Sequence, residues 1–185
     1  MKERTVFRGR VITVNVETVR LPNDVTEDLE IIHHPGGAAV VAIDAQQRVC
    51  LLHQFRHAAG GWLWELPGGK LDGGEPPLEA ARRELAEEAG AGASDWQSLG
   101  TVVSSPGVFT EVVHLFLARE LHDEPAAPEA AEVFETAWVP LDEALARALA
   151  GDIVDGKTVI GLCRAAEHIR LANGAAAVFG RAPSD

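Results

Sequence analysis

The sequence predicts an α/β fold, and three observations carry that expectation. Short Val-, Ile- and Leu-rich runs bounded by turn residues recur along the chain. Between and after them lie three stretches with helical spacing of apolar residues. The clearest is Pro77 to Ala89, where proline stands in the first turn and Gly90 and Gly92 supply the stop. At 185 residues the chain suits one domain with a proper core.

Taken in order, residues 4–20 are rich in Val and Thr and broken by Gly9, which reads as two short strands. The Leu21-Pro22-Asn23-Asp24 turn leads to a returning strand over 28–33. Residues 1–34 are therefore a small β segment, which must pack on something to be stable. After His34-Pro35-Gly36-Gly37 come two apolar strands, 38–44 and 48–56, around a polar turn, the first reading as buried on both faces. Arg56 closes the second, and LWELP (63–67) is the next strand. Trp62 and Trp64 flank its start, readable either as core aromatics or as a surface for stacking a purine.

The stretch from Gly69 to Ala91 reads GKLDGGEPPLEAARRELAEEAGA. Leu78, Ala81, Leu85 and Ala89 form one apolar stripe of its helix, while Glu84 and Glu88 stand one turn apart with Glu87 beside them. Like charges at that spacing repel. They are either a solvated face paired with Arg83, or the oxygen donors of a hard divalent cation, which would relieve the repulsion.

Beyond the helix, 96–104 and 112–118 read as strands around the loop SPGVFTE, on which Phe109 and Glu111 are candidate substrate contacts, Phe109 equally a packing residue. Residues 121–131 read as an acidic, Pro- and Ala-rich loop. A strand through EVFETAWV, a helix over 141–150 and a longer helix over 157–172 follow, and residues 174–185 are expected to be a flexible tail.

The net charge of −12 argues against nucleic-acid and anionic-membrane partners. Cys50 and Cys163 read as reduced thiols, consistent with a cytoplasmic protein, and no apolar run approaches membrane-spanning length. None of the seven histidines stands at ligand spacing along the chain, so zinc is not expected.

The 69–91 stretch resembles the Nudix box, with Gly69, Glu75, Arg83, Glu84, Leu85, Glu87, Glu88 and Gly90 in register and Ala91 where a larger aliphatic is usual. The resemblance covers roughly residues 35–173 and implies an α/β/α sandwich on a mixed β-sheet. It implies that Glu84, Glu87, Glu88 and the Gly68 carbonyl hold Mg²⁺ or Mn²⁺, that Arg83 and Glu75 brace the catalytic loop and helix, and that Arg56, in its Gln54-Phe55-Arg56 context, grips phosphate. Pro106, in Ser-Pro-Gly, is similar to a mark of the ADP-ribose pyrophosphatase subgroup. That subgroup implies a nucleoside-diphosphate small-molecule substrate, a homodimer formed through residues 1–34, and a general base from the loop after the second long strand. Glu132 fits that base best, with Glu135 and Glu129 as alternatives. Val16 stands where some ADP-ribose enzymes offer a tryptophan to adenine, which keeps a GDP-mannose or broad nucleoside-diphosphate-sugar hydrolase open beside an ADP-ribose enzyme. A non-catalytic ADP-ribose-binding regulator fits less well, because every acid of the box is present.

Overall fold

The computed structural model describes residues 2–127 and 133–179, with side chains to 173. At the N-terminus β1 (Lys2–Arg8), β2 (Thr13–Arg20) and β3 (Thr26–His33) form an antiparallel three-stranded sheet. Two further sheets follow. One, in the order β10-β5-β6, joins Phe134–Pro140, Arg48–Arg56 and Gly61–Glu65. The other, β7-β4-β9-β8, joins Gly68–Lys70, Gly37–Ala42, Val112–Asp123 and Ala91–Val103. It is mixed, since β4 runs parallel to β9 and antiparallel to β7.

The turn between β4 and β5 does not make the hairpin that two adjacent apolar strands suggest. Only an isolated Ile43–Val49 bridge joins them, and β4 is already flanked by β7 and β9. All six β4 residues are buried, and the strand's alternation sends them to two cores. Ala39 and Val41 pack with Leu51, Leu115 and Leu117 against α2 (Leu141–Ala150) and α3 (Gly156–Phe179). Ala38, Val40 and Ala42 pack with Cys50 against Ala80, Ala81 and Leu85 of α1 (Pro77–Ala89). Helices thus cover both faces, as a sandwich requires. α3 continues beyond Asn173, where a fraying end is expected from the sequence, to Phe179.

Helix α1 begins at Pro77 with Pro76 as its extended N-cap, and Gly90, in the left-handed region at φ 61°, ends it by donating its N–H to Ala86 O at 3.0 Å. Its buried face is not purely the apolar stripe. Glu84 and Glu88 are buried with Leu85, so these carboxylates do not form the solvated face that composition alone would favour.

The N-terminal sheet is tied to the rest through the loop before β9. Ile32 donates its N–H to Val108 O at 2.7 Å, and Thr110 donates to Ile32 O at 2.9 Å. Across its strands His33 Nε2 meets Glu17 Oε1 at 2.6 Å, with Glu3 close by. That juxtaposition is invisible in spacing along the chain, because each residue lies on a different strand.

Candidate active site

A cavity of about 590 Å³ opens where α1, the ends of β5 and β6, and the start of α3 meet. One wall is acidic: Glu84 and Glu87 of α1 stand beside Gly68, Gly69 and Lys70. Glu88 lies just beneath, where its Oε2 accepts the Gly68 N–H at 2.7 Å. At Gly69 the Glu84 carboxylate occupies the place a side chain would take. A side-chain carbon there would collide with the Glu84 carboxylate, and at Gly68 it would collide with the Ala38 carbonyl. The bare backbone of this loop is therefore the seat on which the acids of α1 rest.

Arg83 braces that seat. Its Nε and Nη2 donate to both oxygens of Glu75 at 3.1 and 3.0 Å, Nη1 reaches Glu84 at 2.8 Å and Glu87 at 3.0 Å, and Nη2 also meets Lys70 O at 3.3 Å. The hydrogen bonds from Arg83 hold the Glu75 carboxyl below its ordinary value, and pairing with Glu75 foremost raises Arg83. One guanidinium thus orders the loop and two acids of the helix. The resemblance to the Nudix box implied a bracing role for Arg83 and Glu75, and the two are hydrogen-bonded to each other here.

The lining also carries cations, balanced by an acid. Arg56 donates from Nε and Nη2 to Glu65 at 2.7 and 3.1 Å, and Lys157 Nζ reaches the same carboxylate at 2.5 Å. Burial opposes ionisation of Glu65, yet the two cations hold it lowered. A third side carries His34 and Glu111, 3.3 Å apart, with Ser104.

The structure brings together Arg56, Gly68, Glu84, Glu87 and Glu111 around the cavity, with Glu88 and Arg83 supporting them. It does not bring the tryptophans there. Along β6 the side chains alternate, Leu63 and Glu65 lining the cavity while Trp62 and Trp64 occupy the opposite face. There the His53 ring lies 5.0 Å from Trp62 and 4.7 Å from Trp64, and Arg147 of α2 sits over Trp64 at 4.7 Å. Glu135 is also on that far face. Its cross-strand partner is His53, whereas its neighbour Thr136 faces α1 and donates to Glu88 O at 3.2 Å. Phe109 packs behind the cavity, its ring 5.2 Å from that of His34. Glu132 and Glu129 lie outside the described residues.

Glu65, Lys157 and Asp155 were missed by reading motifs. A signal was available for the first. An acid inside the apolar run LWELP must be paired if it is buried, and a paired buried acid near Arg56 points to the site.

Glu84 and Glu87, with Glu88 next to them, offer hard oxygen donors and no sulfur or imidazole, the kind of donor that suits Mg²⁺ or Mn²⁺, although the three carboxylates are not drawn together within 4.8 Å of one another. Arg56 lines the same cavity as these acids. The chain belongs to the NUDIX domain family, whose model matches residues 33–159. It is 36% identical over 164 residues to a methanol dehydrogenase activator of Bacillus methanolicus, covering 88% of this chain and 89% of that protein. It is also 36% identical over 165 residues to an ADP-ribose pyrophosphatase of Mycobacterium tuberculosis, covering 88% and 80%. The crystal structure of an ADP compounds hydrolase superposes with a TM-score of 0.79 over 92% of both chains at 24% sequence identity, a likeness of fold.

Proposed function

We propose that this protein hydrolyses the diphosphate linkage of ADP-ribose or a related nucleoside-diphosphate sugar, giving a nucleoside monophosphate and a sugar phosphate. The observation that carries the reading is the presence of Glu84, Glu87 and Arg56 together in the lining of one cavity. A dianionic bridge needs positive charge on both sides, and the acids can supply it only through a cation.

Glu84, Glu87, Glu88 and the Gly68 carbonyl would hold Mg²⁺, or Mn²⁺. When bound, the ion would neutralise the diphosphate and lower the pKa of a coordinated water. Arg56 binds phosphate oxygens through its cavity-facing edge. Glu111 and His34 are placed for the sugar hydroxyls, since a carboxylate accepts hydrogen bonds and repels phosphate. Glu132 takes or orients the proton of the attacking water. Arg83 holds Glu84 and Glu87 in place without touching substrate. The active form is a cytoplasmic homodimer joined through the N-terminal sheet, whose exposed Val6 and Phe7 await cover.

Val16, in place of a stacking tryptophan, favours a second reading, a GDP-mannose or broad nucleoside-diphosphate-sugar hydrolase. Turnover of ADP-ribose, GDP-mannose, UDP-glucose and 8-oxo-dGTP with Mg²⁺, side by side, tests both. Preference for ADP-ribose supports the first reading, and similar rates on several sugars support the second. Hydrolysis of 8-oxo-dGTP alone, or metal-free ADP-ribose binding without turnover, overturns both.

A further inference from the structure

Glu65 is 2% exposed, and its two oxygens accept three hydrogen bonds from two cations that both line the cavity. An ion pair placed only for stability is a poor use of a buried carboxylate, because its desolvation cancels most of the attraction. The cations here are not buried with it. The Arg56 side chain is 42% exposed and that of Lys157 21%, and both line the cavity together with the carboxylate they share.

The same group is pinned from the other side. Lys157 Nζ also meets Asp155 Oδ2 at 3.0 Å, and that oxygen accepts the Thr158 hydroxyl at 2.6 Å and the Thr158 N–H at 3.1 Å. The Thr158 oxygen, fully buried, accepts the N–H of Leu66, next to Glu65, at 2.8 Å. Strand β6 and the start of α3 are thus locked to each other around one carboxylate. Arg56 spends Nε and Nη2 on Glu65, while Nη1 makes no hydrogen bond among the described residues.

We infer that Glu65 is a positioning residue, which fixes one edge of the Arg56 guanidinium so that the other edge is presented to a diphosphate, with Lys157 and Asp155 keeping the carboxylate in register. This deepens the phosphoanhydride reading and rests on it. A guanidinium held by a carboxylate has lost its rotamer freedom before substrate arrives, so less is lost on binding. Glu65 itself touches no reacting atom.

The test is a double-mutant cycle on the best nucleoside-diphosphate substrate of the wild type. Wild-type turnover alone judges the underlying reading, whereas the cycle judges Glu65. Glu65→Gln is expected to raise KM about tenfold with kcat within about twofold, on the scale of one charge-assisted hydrogen bond. Combined with Arg56→Ala, it should be no worse than Arg56→Ala by itself, because it acts through that arginine. An unchanged KM, or additive losses, overturns the inference. A measurement on the wild type serves if Glu65→Gln does not fold. The Arg56 Nε–H, assigned by its loss in Arg56→Lys, should give a slowly exchanging NMR signal that shifts when imidodiphosphate and Mg²⁺ are added. Rapid exchange, or no shift while imidodiphosphate binds, overturns it equally.

Discussion

The Glu84 carboxylate occupies the space that a side chain on Gly69 would need. The closeness joins the first residue of the box to a cavity-lining acid of its helix, so a side chain at position 69 must push that carboxylate aside. Gly69→Ala should therefore displace Glu84 while leaving α1 in place, because Ala80, Ala81 and Leu85 still anchor the helix. Mn²⁺ affinity, read by calorimetry, is expected to fall at least about tenfold, with the melting temperature little changed. Unchanged affinity would mean that the seat is not the ligand arrangement.

Arg83 and Glu75 give a pH signature. Arg83 holds the Glu75 carboxyl below its ordinary value of 4.5, so the folded chain takes up that proton less readily than the unfolded chain. The pairing contributes its full stability above the ordinary glutamate range and loses it as pH falls through the lowered folded value. Urea unfolding between about pH 3 and pH 6 should show Glu75→Gln with a flatter acid limb than wild type. Parallel slopes would contradict the pairing.

The tryptophans separate packing from binding. Trp64 packs on the core beneath Arg147, so Trp64→Ala should cost about 3 kcal/mol of stability. Trp62 is 46% exposed on the same far face, and Trp62→Ala should leave kcat and KM within about twofold of wild type. A large rise in KM in Trp62→Ala would return it to the substrate site.

Substitution separates Glu135 from Glu132. Glu135→Gln is expected to turn over at the wild-type rate, since Glu135 stands with His53 on the face away from α1. Glu132→Gln should lower kcat at least about 10²-fold with metal affinity retained, as for loss of a general base. The reverse result would place the base on the far face and break the account of the cavity.

Much of this was legible in the chain. The bounds of α1 follow from Pro77 and Gly90, and spacing puts Glu84, Glu87 and Glu88 together because a helix fixes which residues share a face, while their reading as a site came from the match to the box. The division of the strands between sheets was not legible. A buried strand such as β4 carries no local mark of its partners, and the short turn after it resembles any hairpin turn. Glu65 and Lys157 are 92 residues apart, a separation no local pattern bridges. The alternation in Trp62-Leu63-Trp64-Glu65 was visible, but which side met the cavity depended on where α1 and α3 came to rest.

If the acids of α1 act through a divalent cation on a diphosphate, Glu88→Gln should remove the reaction without unfolding the chain. Glutamine keeps an oxygen for the Gly68 N–H and removes a buried charge, so the fold should persist. The measurement is Mg²⁺-dependent release of AMP from ADP-ribose by wild type and Glu88→Gln, with circular dichroism on both. The account predicts turnover by the wild type and a loss of at least about 10²-fold in the folded variant. Near-normal turnover by Glu88→Gln would contradict it.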